Sequence, residues 1–457
     1  MVATRRIQLV FPGHDYGELA HRPQVLPPSL GLLTLAAYVK ARVPDCSIDV
    51  FDGNATCEDD ILQCLDAPLI GFGTWFSNFD STLRYAEKLK SVQPGTQIVI
   101  GGPHTTGIAE RILQHNPFID FVVSGDGEEA LVDLVKGKDP ASIPNLAYRD
   151  VSGAISVASA RNVDLHTVPS ITLESLVTPY TWDADASIPV LAAFPVSGMR
   201  GCFQTKRCEY CSIPTLGLRE KDPSAFWTEI RQLHDTSGID YFFETGDTFT
   251  PAYARRLASV SPPADTRLRI YSYPGLITKE NLSIFSDLGI VNIFIGVESV
   301  LVFKGKGLRS YKKGYTVESL HAEIELLAQQ GITVMPSFIF GLPGETDRTL
   351  EENYDLVCSI ADHPAVTDSL VNVPLPLPGS AYFDTCMRDP TITAQYREIT
   401  GHDLTSTDRI DYYRLSRLFV ERFTTVRYDD IVASIERIQK KYDPKFGHWG
   451  HASPNIR

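Results

Sequence analysis

Cysteine is scarce in this chain, eight in 457 residues, too few for the disulfide framework that holds small secreted domains together. Positive charge is also in deficit. Lys and Arg total 42 against 56 Asp and Glu, a formal charge of -14, whereas a broad nucleic-acid face needs clustered cations to neutralise phosphates. No stretch approaches the roughly 18 consecutive apolar residues of a membrane span. The opening segment has Arg5 and Arg6 before an apolar run that is too short for a secretion signal and leads into Gly13-His14-Asp15. It reads as a first β-strand, and the protein as cytoplasmic. What is present is an ordinary folded composition, 43% hydrophobic, 10% aromatic and 21% charged, which excludes wholesale disorder and fibrous repeats. The length predicts about three domains.

Short apolar runs alternate with helical patterns over residues 1–140. Strands are expected at Ile7 to Phe11, Ser47 to Phe51, Leu69 to Phe72, Gln97 to Ile100 and Phe121 to Val123, with helices between them. That alternation predicts an α/β fold with a doubly wound, Rossmann-like parallel sheet, whose ligands bind beyond the carboxyl ends of the strands. Glycines gather at three of those ends: Gly71 and Gly73, Gly101 and Gly102, Gly125 and Gly127. Residues 141–192 are broken by prolines and read as a linker with a small hairpin across Gly153. A second β/α domain, a partial TIM-type barrel, is expected over 193–388, and a small, mostly helical C-terminal region over 389–457. In that last region Tyr412, Tyr413 and the run Phe446 to His451 are candidates for meeting a substrate, with core packing the favoured reading of the aromatics and a polar tail that of the histidines.

Five cysteines, Cys46, Cys57, Cys64, Cys358 and Cys386, are scattered and read as small buried apolar residues. The other three, Cys202, Cys208 and Cys211, crowd into a loop directly after the apolar strand that opens the second domain. Soft thiolates so close select zinc or an iron-sulfur cluster. Structural zinc takes four N or S ligands, and the first His or Cys beyond Cys211 is His234. Three cysteines without a near fourth suggest a cluster with one iron open. A zinc knuckle completed by a remote His, or an unligated group of thiols, is the bland alternative.

Further motifs follow in order: Glu244-Thr-Gly246-Asp247, Gly296-Val297-Glu298-Ser299, and Phe338-Ile339-Phe340-Gly341-Leu342-Pro343-Gly344-Glu345-Thr346. With the cysteine triad they make residues 5 to 380 resemble the cobalamin-dependent radical S-adenosylmethionine (SAM) enzymes. The first gap of the triad is five residues where that family usually has three, while Tyr210 keeps the aromatic before the last Cys. The resemblance implies a 4Fe-4S cluster on Cys202, Cys208 and Cys211. It also implies SAM contacts from Tyr210, Gly246, Asp247, Glu298, Ser299, Ile339, Gly341 and Leu342.

The first domain resembles the family's cobalamin-binding domain through Pro27-Pro28-Ser-Leu30-Gly31-Leu32-Leu33, Gly101-Gly102-Pro103-His104 and Gly125-Asp126-Gly127-Glu128. Expected cobalamin contacts are Gly73, Thr74, Gly101, Gly102, Pro103, His104, Gly125, Gly127 and Glu128. His104-Thr-Thr-Gly107 matches the tail of the Asp-x-His-x-x-Gly motif that brings a His beneath cobalt, but it follows the fourth strand and lacks the Asp. The expectation is therefore a cobalamin with its own base displaced and no histidine ligand. The implied activity is methylation of an unactivated carbon or phosphorus centre of a small molecule, through a 5'-deoxyadenosyl radical and methylcobalamin. Radical rearrangement or cyclisation without methyl transfer is the alternative, and a non-catalytic cobalamin-binding sensor the alternative from another class. The implied partners are a small-molecule substrate and an electron donor such as a flavodoxin or ferredoxin, with no nucleic acid and no membrane. The catalytic acid or base is not identified by the sequence.

Overall fold

The computed structural model describes residues 4–14, 27–178, 180, 193–204, 207–213, 217–304 and 315–442. The run Phe446 to His451 lies outside the described residues, as do residues 179 and 181–192 of the Pro-broken stretch.

Seven strands form the first sheet: β1 (Arg6–Phe11), β2 (Ser47–Asp52), β3 (Leu69–Gly73), β4 (Gln97–Gly101), β5 (Phe121–Val123), β6 (Leu146–Arg149) and β7 (Ile155–Val157). Their order is β2-β1-β3-β4-β5-β6-β7. The first five are parallel, as their near-continuous apolar runs require when helices cover both faces. Helices Leu30–Arg42 and Glu128–Val135 pack on one face, Phe79–Val92 and Ala109–His115 on the other. The winding direction reverses between β1 and β3, so the ligand crevice opens there, beyond the carboxyl ends.

The hairpin expected in the linker is part of this sheet: β6 pairs antiparallel with β5, and β7 with β6. Its attachment comes from contacts distant in sequence. The Arg149 guanidinium donates to the carbonyls of Leu113, Asn116 and Ile119, and Leu146 and Ala147 are fully buried.

The second unit has β8 (Phe194–Val196), the short antiparallel pair β9 (Met199–Arg200) and β10 (Arg219–Glu220), then β11 (Tyr241–Glu244), β12 (Arg267–Ser272), β13 (Ile290–Glu298), β14 (Thr333–Ile339) and β15 (Leu370–Asn372). Strands β8, β11, β12, β13, β14 and β15 lie side by side in chain order, all parallel, in a sheet left open between β8 and β15. Every carboxyl end of this partial barrel therefore faces the same way. Local chemistry sets the helix starts. Asp222 accepts from the N–H groups of Ser224 and Ala225 ahead of helix Pro223–Ser237, and Thr346 with Thr349 forms a capping box for Asp347–Ala361.

Four helices close the described chain: Ala381–Arg388, Pro390–Thr400, Tyr412–Phe423 and Tyr428–Tyr442. They bridge both units. Tyr382, Phe383, Tyr396, Tyr412 and Leu415 share a core with Phe79, Leu83 and Ile112 of the first sheet's helices, whereas Tyr428, Ile431 and Ile435 join the core of the barrel. A buried bond from Asn116 Nδ2 to Asp408 Oδ2, 2.6 Å, ties the C-terminal region to the first unit.

Candidate functional site

The cysteine loop begins where β8 ends, and a buried carboxylate organises its backbone. Glu244, the last residue of β11 and fully buried, accepts N–H groups from Gly198 (2.9 Å), Met199 (3.3 Å) and Gly246 (3.1 Å) on one oxygen. Burial pushes its carboxyl up to about 7. Gly246 must be glycine, because an added Cβ would stand 2.8 Å from the Glu244 carboxylate and 2.9 Å from the Met199 carbonyl. Asp247 accepts the Gly201 N–H at 2.6 Å. Expected to meet SAM, the Gly246-Asp247 turn is first a clamp on the loop that carries Cys202.

All eight cysteines are free thiols, and Cys202, Cys208 and Cys211 are half-buried. Burial pushes the Cys211 thiol up to about 12. Cys211 N–H donates to Cys208 O at 3.0 Å, and Cys202 Sγ lies 3.9 Å from Thr248 Oγ1. Among the described residues no three His, Cys, Asp or Glu side chains stand close enough to hold one metal ion. Zinc at bonds of about 2.3 Å would draw sulfurs to within about 4 Å of each other. Three half-buried thiols on one loop are a donor set that suits an iron-sulfur cluster with one iron open. The second half of the loop leans on the segment after β15: Arg207 donates to Gly379 O and Tyr382 N–H to Glu209 O, both at 3.1 Å.

Across from the loop, Tyr210 donates its hydroxyl to Glu298 Oε1 at 2.9 Å. Glu298 ends β13 with φ 71, where the register between β13 and β14 shifts past Gly296. A non-glycine residue in that region costs on the order of 1–3 kcal/mol and persists only where surroundings enforce it. Gly296 makes the room, since its Cβ would fall 2.6 Å from the Glu298 carboxylate.

Ser299, expected beside Glu298 in the SAM contacts, is instead fully buried: its hydroxyl caps helix Val300–Phe303 through Leu301 N–H and bonds Asn353. Ile339 ends β14. Gly341 has φ 92, with Val420 2.9 Å from where a Cβ would be, and Leu342 is buried, so this turn presents backbone. Glu345 pins it through Gly341 N–H and the Asn353 amide, and burial pushes that carboxyl up to about 7. Sequence reasoning missed two groups here. Ser272 Oγ and Asn372 Oδ1, at the ends of β12 and β15, are buried without a partner among the described residues. Polar residues that close parallel strands were the available signal.

At the carboxyl edge of the first sheet, Gly73-Thr74, Gly101-Gly102 and Ser124-Gly125 end three adjacent strands. Thr74 donates its N–H and hydroxyl to Gly101 O at 2.7 and 2.8 Å. Gly102 has φ 128, and a Cβ there would sit 2.3 Å from Thr74 O; Gly125 has φ 91 and opens on free space. Pro103 starts a single 3-10 turn that carries His104 inward. These side-chain-free ends form the flat cradle that a large planar ring needs, so the residues fit cobalamin.

Two expected contacts turn away from that cradle. His104 is 4% exposed, between the rings of Phe79 and Tyr412. Glu128 is buried, and its carboxylate pairs with Arg200 at 2.6 Å. Arg200 also reaches Asp126 at 3.3 Å, and Arg219 meets Asp126 at 2.5 Å. Arg200 stands two residues before Cys202, so the loop after β5 is bonded to the base of the cysteine loop. Gly107 closes the other side, its Cβ position 3.8 Å from Gly379 N.

A flavodoxin-ordered sheet with a bare carboxyl edge, joined to an open parallel barrel whose first strand feeds three cysteines, defines a class of two-cofactor enzyme. Residues 19–135 match the B12 binding domain and residues 196–357 the radical SAM superfamily, so the chain carries a B12-binding domain followed by a radical SAM domain. It is 28% identical over 292 residues to an anaerobic magnesium-protoporphyrin IX monomethyl ester cyclase of Cereibacter sphaeroides, covering 60% of this chain and 46% of the relative. It is 25% identical over 404 residues to an uncharacterised methyltransferase of Pyrococcus horikoshii, covering 82% of each. The chain thus spans about half the length of the cyclase. Its fold is similar to that of the radical SAM methyltransferase TsrM from Kitasatospora setae, with a TM-score of 0.64 at 18% identity over 84% of this chain and 76% of that one. Among the described residues no helix is long and apolar enough to cross a membrane.

Proposed function

We propose that this chain is a cobalamin-dependent radical SAM methyltransferase acting on an unactivated carbon or phosphorus centre of a small molecule. The observation that carries the reading is the convergence of both carboxyl edges, through Arg200 with Asp126 and Glu128 and through Gly107 against Gly379. When bound, the cluster with SAM supplies a carbon radical and the cobalamin a transferable methyl group. The chain's own residues position and exclude. Cys202, Cys208 and Cys211 hold the cluster, and Glu244 and Asp247 fix the loop that presents them. Tyr210 and Glu298, with the backbone of Ile339, Gly341 and Leu342, orient SAM, while Ser272 and Asn372 offer polar atoms to SAM or substrate. Gly73, Thr74, Gly101, Gly102 and Gly125 let the corrin approach the strand ends.

On this reading residues 1–140 carry cobalamin and 193–388 the cluster and SAM, with the helices between Ala381 and Tyr442 bridging the two. A cluster on these cysteines would draw its electron from an external donor such as a flavodoxin or ferredoxin, and a reducing compartment such as the cytoplasm suits the five remaining free thiols. The acidic balance suits a small-molecule substrate better than a nucleic acid.

Anaerobically reconstituted protein, given SAM and a reductant, forms 5'-deoxyadenosine, and a correct substrate gains one methylene by mass. A product without that gain replaces this reading with rearrangement or cyclisation, the latter named in the cyclase relatives. Absence of 5'-deoxyadenosine replaces it with a cobalamin-binding sensor. Replacing Cys202, Cys208 and Cys211 together by Ala removes the visible absorption and the bound iron and sulfide.

A further inference from the structure

Helix Ala381–Arg388 begins on the cysteine loop. Arg207 donates to Gly379 O and the Tyr382 N–H to Glu209 O, both at 3.1 Å, and a Cβ on Gly379 would stand 3.7 Å from Ser212 O. Gly379 has φ 89, a conformation glycine adopts without cost, and the chain turns there into the helix. Ser380 holds that turn: its hydroxyl accepts the Phe383 N–H at 3.1 Å and donates to Leu377 O at 2.7 Å. The segment that carries Cys208 and Cys211 is thus bonded to a helix start whose own geometry is fixed.

Tyr382, the second residue of that helix, is 3% exposed, and its hydroxyl has no hydrogen-bond partner among the described residues. A tyrosine so deeply buried normally satisfies its O–H, and an unpaired donor costs about 1–3 kcal/mol. Its ring is seated against Phe419, with centroids 4.4 Å apart, in a core against which Tyr210 and Ile339 also pack. Burial pushes the hydroxyl above the ordinary phenol range, and the negative charges that push it further are those of Glu209, Cys208 and Glu298, in that order. Cys208 therefore acts on this hydroxyl more strongly than the carboxylate on the SAM side does. A cysteine that binds metal does so as the anionic thiolate, and a thiolate is the acceptor that this donor lacks.

Resting on the cluster reading above, we propose that the Tyr382 hydroxyl donates a hydrogen bond to the Cys208 sulfur of the bound cluster and raises the potential at which the cluster accepts its electron. One electron enters from the external donor, the hydroxyl keeps its proton, and no covalent bond is made or broken. A hydrogen bond to a ligand sulfur stabilises the more negative, reduced cluster more than the oxidised one. Tyr382 is on this account a positioning residue that eases reduction.

The midpoint potential of the cluster decides the matter, followed by electron paramagnetic resonance during an anaerobic redox titration of the reconstituted full chain without SAM. Tyr382→Phe keeps the ring on Phe419 and removes only the hydroxyl. It is expected to hold wild-type iron and sulfide, to titrate at a more negative potential, and to move the iron–cysteine stretching bands of the resonance Raman spectrum to higher frequency. Tyrosine fluorinated beside its hydroxyl, placed at position 382 alone, is a stronger donor and is expected to shift the potential the opposite way; where Tyr382→Phe fails to hold iron, the sign of that shift decides by itself. Equal potentials in all three proteins overturn the proposal, as does a shift that leaves the stretching bands unmoved. An unchanged potential with weakened SAM binding in Tyr382→Phe overturns it too and gives the hydroxyl to SAM. A wild-type protein that retains no iron or sulfide after reconstitution overturns the cluster reading itself.

Discussion

Glu244 shows how much of a site can hang on one side chain that touches no cofactor. Its carboxylate gathers three N–H groups around the start of the cysteine loop, and each buried donor left without a partner costs about 1–3 kcal/mol. Glu244→Ala is therefore expected to lower stability by roughly 3 kcal/mol or more and to reduce the iron and sulfide retained after reconstitution. Glu244→Gln keeps an acceptor oxygen and should retain most of the cluster; equal loss in both variants would assign the effect to charge rather than to hydrogen bonding. At this scale the sequence was partly legible. Glu244-Thr-Gly246-Asp247 stands out as a motif, but only the folded chain shows Asp247 on Gly201 and Ser299 turned into a helix cap.

At the scale of elements, the turns that end β3, β4 and β5 matter more than the strands themselves. Gly102 combines φ 128 with a Cβ position 2.3 Å from Thr74 O, so Gly102→Ala is both strained and blocked by backbone. The expected loss is on the order of 2 kcal/mol or more, read as a lower unfolding midpoint, together with failure to retain a corrin on gel filtration. Gly95→Ala, where an added Cβ meets nothing within 4 Å, serves as the control with little effect. The five parallel strands were legible because each carries a short, mostly apolar run between helical patterns. The hairpin β6-β7 was legible as a hairpin but not as part of the sheet, since its attachment depends on Arg149 and on the Asn145 amide, which donates to Asp126 O and Arg161 O. Strand β15 was missed: three residues before Pro374, Pro376 and Pro378 are too short to show alternation.

For the whole molecule, Arg200 is the joint. It links the cysteine loop to Asp126 and Glu128 of the other unit, and removing one partner from a buried pair costs about 3–5 kcal/mol because the remaining charge is stranded. Arg200→Ala is expected to split calorimetric unfolding into two transitions; a single transition at the wild-type midpoint would show that the C-terminal helices alone join the units.

Stability also depends on pH. Burial raises the carboxyls of Glu345, Glu244 and Glu323 from an ordinary 4.5 to about 7. The folded state thus binds these protons more tightly than the unfolded chain. Their contribution is complete below about pH 4.5 and is lost as pH rises toward about 7, by roughly 3 kcal/mol per group at most. Glu345→Gln is expected to flatten the fall of the unfolding midpoint over that window.

The sequence by itself determined the periodic strands and helices, the bare strand ends, and the three crowded cysteines, because each is written in residues close together along the chain. The convergence of the two carboxyl edges was decided only by tertiary structure. So were the burial of His104 and the engagement of Glu128 by Arg200. Each depends on side chains tens to hundreds of residues apart, and a local pattern carries no record of which distant groups will meet.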